Sequence, residues 1–464
     1  MRRASPRWAY ALLAVITVVA AAAYAALPLL RWRQVLTPSW DNAIFTQALR
    51  SYAAGELPTA SIKGEDFALL GDHFSPAVAV LAPLWWAWPD GRVLILAQAV
   101  LLAASVVVVG VAALRHMGPA PGLLLTLAYA GSFAIAGAVR VDFHAVALAA
   151  PLLACAGAAW LRDDVRGVVL WSLPLLLVKE DLGGTVAAIG LVLLVDRRRR
   201  HAGPGLGLLV GGLAAAALTV LVVVPALGQG GYDYLAGFEG SGSATSGAVG
   251  IEGLTGGWST KLVTVLVTLG SVAFLAVLSP WALLLLPTLA WRFAGDNPTY
   301  WGTEWHYSLV LAPVLAVAAV DAVARLRERG PVARTAARAG PVAALAATVA
   351  IGWGGPFATL AEPGTWQATA RTSAAAAVLE AVPAGSVVET DVGLITRFAA
   401  DRDTWWVGTA PADLDPDYVV IDLRRGGWPS PPDPVTWGEQ RHPGATYELV
   451  LFAGDFAVAR RSSR

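Results

Sequence analysis

Leu191-Val192-Leu193-Leu194-Val195-Asp196-Arg197-Arg198-Arg199-Arg200-His201 decides how the rest of the chain is read. An apolar run ends in four consecutive arginines, and short loops rich in Lys and Arg stay on the cytoplasmic side of a membrane. Arg325, Arg327, Arg329, Arg334 and Arg338 make the same demand further along. Holding both clusters inside sets the parity of every apolar segment around them, each crossing needing about 17 to 25 residues. Composition agrees: 56% of the 464 residues are hydrophobic and only 14% charged, against roughly 25% charged in soluble domains. Mean hydropathy is +0.59. The chain reads as an α-helical polytopic membrane protein with a cytoplasmic N-terminus.

Outward from the arginines, the apolar segments fall into order. Trp8–Leu30 follows Arg2, Arg3 and Arg7 and has the length of a span rather than of a signal peptide. It delivers a first outer loop with juxtamembrane segments, residues 31–90, in which Phe74–Trp88 is too short to cross and reads as re-entrant or interfacial. Leu94–Leu114, Gly122–Ala138, Ala145–Leu161, Gly167–Val178, Leu182–Val195 and Gly205–Leu227 then alternate across the bilayer. Residues 228–259 are Gly/Ser-rich and read as a flexible outer loop. Residues 262–278 and 280–292 are a pair broken at Pro280, and 307–324 and Pro341–Trp353 complete about 11 transmembrane helices. Residues 1–355 are thus expected to form the membrane domain.

From residue 356 hydrophobicity falls, and 356–464 read as an extracytoplasmic α/β domain. Ser373–Ala381 has helical character. Ser386–Thr390, Thr404–Val407, Tyr418–Leu423 and Tyr447–Phe452 have strand character, and Ala453-Gly454-Asp455 is turn chemistry for a terminal hairpin. No Gly-rich nucleotide fingerprint follows any of these strands. Thirty-three basic residues balance thirty-three acidic ones, leaving no basic surface for nucleic acid. Cys155 is the only cysteine, so neither a disulfide nor a thiolate metal site forms within the chain.

Ionisable groups in or beside a bilayer cost about 2.5 to 3.5 kcal/mol at a helix centre, so those retained usually face a polar cavity. With the arginines inside, the outer side collects Asp41, Asp72 with His73, Asp142 with His144, Lys179-Glu180-Asp181, and Glu304 with His306. No comparable set is evident on the inner side, where His116 and His201 sit in basic turns. Asp41 lies in Trp40-Asp41-Asn42-Ala43-Ile44-Phe45, whose apolar neighbours would desolvate the carboxylate and raise its basicity toward that of a general base; the alternative is an N-cap. Asp72 or Ser75 could instead cap a helix starting at Pro76. Asp142 and His144, with His73 or Glu304, offer ligands for a divalent cation, although spacing specifies no geometry. Lys179 supplies an ammonium for a lipid phosphate, with Glu180 and Asp181 to orient it. Trp305 and Tyr307 read as interfacial anchors, leaving His306 as a candidate.

Trp40-Asp41, Gly71-Asp72-His73-Phe74-Ser75-Pro76, Asp142-Phe143-His144 and Lys179-Glu180-Asp181 together resemble the DUF2079 family of bacterial membrane proteins across residues 8–355. That family resembles a branch of the GT-C glycosyltransferases, which use polyprenyl-phosphate sugars. The resemblance implies a hexosyl or pentosyl transferase of the bacterial plasma membrane acting on an extracytoplasmic acceptor. Asp41 would be the base in the first outer loop, Asp72 and His73 would lie at a second motif, and Lys179 would hold the donor phosphate. The first loop departs from the family pattern in lacking a paired Asp-x-Asp, so the resemblance leaves a divalent cation possible without requiring one. Outside this reading stand a transporter or flippase of a lipid-linked substrate and a non-catalytic envelope scaffold.

Overall fold

A computed structural model describes residues 5–36, 39–228 and 251–462. It is mostly helical, with a small sheet near the C-terminus. Among the described residues six helices are long and apolar enough to cross a membrane: Arg7–Arg33, Arg92–Met117, Pro119–Arg140, Ala202–Leu227, His306–Arg327 and Pro331–Gly352. Pro76–Ala87, Ala145–Leu161, Val165–Leu177, Leu182–Val195 and Trp258–Gly270 are apolar but shorter. The span ending at Gly352 begins ten residues before the expected Pro341, because Pro331 suits a first helical turn and Arg334 and Arg338 ride on its exposed side. Of the expected loop at 228–259, residues 229–250 lie outside the described residues, whereas Ile251–Thr255 is helical and Trp258 starts the next helix.

Packing of the bundle relies on small residues. The Leu182–Val195 helix lies so close to Ala202–Leu218 that a Cβ on Gly190 would collide with the backbone of Leu209 and Gly205. Close backbone approach through small residues is how helices associate where lipid removes the hydrophobic driving force. His306–Arg327 is the central span, with 94% of its apolar window buried.

The arginine-rich end of the bundle departs from expectation. Arg199 bonds Asp321 at 3.0 Å and Asp196 at 3.4 Å, and Arg325 bonds Asp321 at 2.6 Å and Asp196 at 3.1 Å. Ser279 donates to Asp321 at 2.7 Å, and Arg199 lies over the Trp160 ring. Both carboxylates are buried. Two of the arginines that read as solvated topology markers therefore neutralise two buried acids and tie three segments together. His201 is likewise paired, with Asp163 at 2.7 Å.

The C-terminal residues form strands β1 (Val387–Thr390), β2 (Asp403–Trp406), β3 (Tyr418–Asp422), β4 (Tyr447–Ala453) and β5 (Phe456–Arg461) in the order β2-β1-β3-β5-β4. β1, β2 and β3 are parallel, and β4 and β5 form the terminal antiparallel hairpin. The sheet rests on the region after the first span. Ile395 and Ala399 pack with Ala43, Ile44 and Ala48 of the Asp41–Ala53 helix. Gln47 and Ser61 both donate to the Thr404 carbonyl on edge strand β2, covering an edge that would otherwise be open. Arg397 donates to the Trp32 carbonyl at 2.7 Å and stacks over the same indole.

Candidate functional site

Polar segments drawn from residues 40–307 converge on one cavity. Asp41 opens the Asp41–Ala53 helix, but its side chain makes no capping bond, so the N-cap alternative does not describe it. The carboxylate instead faces a cavity of ≈ 310 Å³. Asp142 has φ +63°, a left-handed conformation that Asp tolerates better than most residues, and it reverses the chain after the Phe133–Arg140 helix. Gln98 holds this turn by donating to the Asp142 carbonyl at 2.8 Å and accepting from the His144 N–H at 3.2 Å. Phe143 anchors it edge-on against Phe45. His144 is thereby presented to the cavity, its Nε2 3.6 Å from the Asp41 carboxylate: an ion-pair distance, not a hydrogen bond.

His144 also stacks on His306, ring centroids 3.5 Å apart. His306 arrives on the segment before the central span. A Cβ at Gly137 would stand 3.1 Å from the Trp305 carbonyl, so the glycine admits this close approach. Neither His144 Nε2 nor His306 Nδ1 has a hydrogen-bond partner among the described residues. On another wall, Asp72 accepts from His73 at 2.5 Å and pairs with Lys63 at 2.8 Å. Ser75 precedes the Pro76–Leu81 turn without capping it, since its hydroxyl donates to the His73 carbonyl at 3.2 Å. Lys179 sits in the break before the Leu182–Val195 helix, 3.0 Å from Asp181, 3.4 Å from Glu180 and over the Trp291 ring.

The cavity therefore unites Asp41, Asp72, His73, His144, Lys179, Glu180 and His306. Asp142 and Asp181 are outside its lining; the Asp142 carboxyl is buried behind His144, and Asp181 reaches the cavity only through Lys179. Glu304 is exposed and contributes its carbonyl to Arg140. The trio Asp142, His144 and Glu304 is thus not assembled as a metal site, and among the described residues no three His, Cys, Asp or Glu side chains are grouped to hold a metal ion. Trp305 and Tyr307 line the cavity rather than serving only as anchors, and Lys63, Asn297, Tyr300 and Trp291 join them. Lys63 carried a signal: the chain has only three lysines among its 33 basic residues, Lys63, Lys179 and Lys261, and two of them face this cavity.

Electrostatics sort these groups. Burial pushes the Asp41 carboxyl up, but the charges of His144 and His306 and a hydrogen bond from Ser39 outweigh it, holding Asp41 well below the usual carboxylate range. The expected rise in basicity is overturned, because a neighbouring imidazole 103 positions away counts for more than the local apolar residues. Asp72 is also pushed up by burial and pulled down further by His73 and Lys63, ending low. Burial opposes protonation of His73, yet its bond to Asp72 holds it above the usual imidazole value. Asp142 is pushed up to about 7 by burial, against the opposing charge of Arg31. An ionised carboxylate thus faces two lysines across a half-apolar cavity, setting a proton acceptor opposite charges that can meet an anionic group.

Apolar helical spans, a small C-terminal sheet and a charged cavity define a multi-pass membrane protein. ArnT from Cupriavidus metallidurans bound to undecaprenyl phosphate is 12% identical and matches over 97% of both chains with a TM-score of 0.57. The apo state of the same enzyme is 13% identical over 94% of this chain and 96% of that one, with a TM-score of 0.52. At these identities the likeness is one of fold. The chain belongs to the family described as predicted membrane protein DUF2079, whose model matches residues 31–463. No curated protein matches it in sequence.

Proposed function

We propose that this protein transfers a sugar from a polyprenyl-phosphate donor to an extracytoplasmic cell-envelope acceptor, with inversion at the sugar carbon. The carrying observation is the cavity that sets the Asp41 carboxylate, paired with His144, opposite Lys179 and Lys63. In this reading Asp41 accepts the proton of the acceptor hydroxyl as its oxygen attacks the sugar C1. The bond from C1 to the phosphate oxygen breaks, and its electron pair leaves on the polyprenyl phosphate. Lys179, released from Glu180 and Asp181, meets that phosphate with a compact charge, and Lys63 adds a second. Asp72, already engaged by Lys63 and His73, positions rather than reacts. Asp142 holds the turn that presents His144, and no metal ligand role is assigned to it.

The same reading places the protein in the bacterial plasma membrane with residues 1–355 as the transferase domain and 356–464 as an extracytoplasmic cap. The Leu182–Val195 and Leu311–Arg327 helices both begin near the cavity and end in arginine-rich segments. Arginines held in the cytoplasm therefore put the cavity outside. Likeness to an enzyme crystallised with undecaprenyl phosphate supports a lipid-linked donor.

The test is release of polyprenyl phosphate from a synthetic polyprenyl-phosphate sugar by the purified protein in nanodiscs with an envelope extract as acceptor. Wild type is expected to turn over, and Asp41→Asn to lose about 10²- to 10⁴-fold in rate while remaining folded. Unchanged turnover in the variant would remove Asp41 as base. Donor movement between leaflets without sugar release would favour a flippase, and binding without either a scaffold.

A further inference from the structure

A second cavity, ≈ 400 Å³, opens on the other flank of the Asp41–Ala53 helix, between it and edge strand β2. Its lining includes Arg50, Glu65, Asp66, Asp403, Trp405 and Asp413. Four acids face one guanidinium, so the cleft carries a net negative field of the kind that gathers cations and repels phosphate. Among the described residues Glu65, Asp403 and Asp413 have no ion-pair partner, which leaves their oxygens open to accept from a ligand. No three of these acids are grouped to hold a metal ion.

Trp405 supplies an independent observation. Strand alternation puts it on the same side of β2 as Asp403, and both line the cleft. It is 7% exposed, and its indole N–H is buried without a hydrogen-bond partner. An unused indole donor set among carboxylates matches the hydroxyl edge of a sugar ring. The cleft and the Asp41 cavity share one wall. In the turn Ser61–Lys63, Ser61 lines the cleft and Lys63 the cavity, and Trp40 packs edge-on against Trp406 beside it. A single helix thus carries Asp41 into one cavity and Gln47 and Arg50 into the other.

We propose that this cleft binds a carbohydrate bearing a free amine, its hydroxyls and ammonium held by the carboxylates and one hydroxyl by the Trp405 indole N–H. Its role as the acceptor subsite rests on the transferase reading above; the binding itself does not. The carboxylate excess also bars the donor phosphate from this cleft.

Isothermal titration of the full-length protein in detergent, without donor, tests the binding with three probes: glucosamine oligomers, N-acetylglucosamine oligomers and galacturonic acid oligomers. Glucosamine oligomers are expected to bind at least tenfold more tightly than the neutral series, the anionic series not at all, with affinity falling as salt rises. Asp413→Asn, at an exposed position, and Asp403→Asn should each weaken binding at least fivefold. Equal affinity for amine and neutral oligomers, no binding of any probe, or unchanged affinity in both variants would overturn the proposal. Glucosamine binding without any sugar transfer would count against the transferase reading and leave this site standing.

Discussion

At the residue scale, the informative feature is a carboxylate whose acidity is set from afar. Asp41 was legible as a candidate from its motif, but its electrostatic state was not, because His144 and His306 reach it only through the packed fold. A base works above its pKa, so the depressed Asp41 remains ionised into acid solution. His144→Phe keeps a ring against His306 but removes the charge that lowers Asp41, leaving burial to raise it. The acid limb of the kcat/KM profile for sugar transfer is therefore expected to move to higher pH in this variant. An unmoved limb would separate Asp41 from His144. The rare lysines show a different kind of legibility: in an arginine-rich chain, Lys63 was visible by count alone, yet nothing local linked it to Lys179.

At the element scale, two contacts hold the helices that carry the site. The cluster of Asp196, Arg199, Asp321 and Arg325 is neutral as a whole, so removing one member strands a buried charge. Asp321→Asn is expected to cost about 3–5 kcal/mol, read as a fall in thermal midpoint in detergent. Asp321→Asn combined with Arg325→Gln should cost less than the two separate losses summed. The sequence showed Arg199 and Arg325 only as members of basic runs, because burial of their partners depends on how the Leu182–Val195 helix meets the central span. Gly190 makes the second contact. Gly190→Leu should force the Ala202–Leu218 helix away and lower stability by about 1–3 kcal/mol or more, measurable in the same thermal assay; an unshifted midpoint would show that the close approach is not needed.

At the scale of the whole molecule, orientation is the property to test. Cys155 is the only native thiol, so Cys155→Ser gives a thiol-free chain on which single cysteines can be placed. With an impermeant maleimide on intact cells, Ser462→Cys is expected to label and Arg198→Cys to label only after lysis. The reverse pattern would put the cavity on the cytoplasmic side and end the extracytoplasmic reading of the C-terminal sheet. That sheet is also fastened to the first span by Arg397 and to the segment after it by Gln47 and Ser61.

The sequence by itself determined what depends on local repetition. Apolar length marked the six long apolar helices, alternation placed β1 to β4 within a residue or two, turn chemistry marked the hairpin before β5, and short motifs named most of the cavity-lining acids and histidines. These are properties of neighbours along the chain. The tertiary structure decided which distant residues meet: Asp41 with His144, Lys63 with Asp72, Arg199 with Asp321, and β2 with the Asp41 helix. It also separated Glu304 from the cavity and set Asp142 behind it. Charge, burial and pairing act over a few ångströms of space irrespective of sequence separation, so the chemistry of this site belongs to the fold rather than to any one motif.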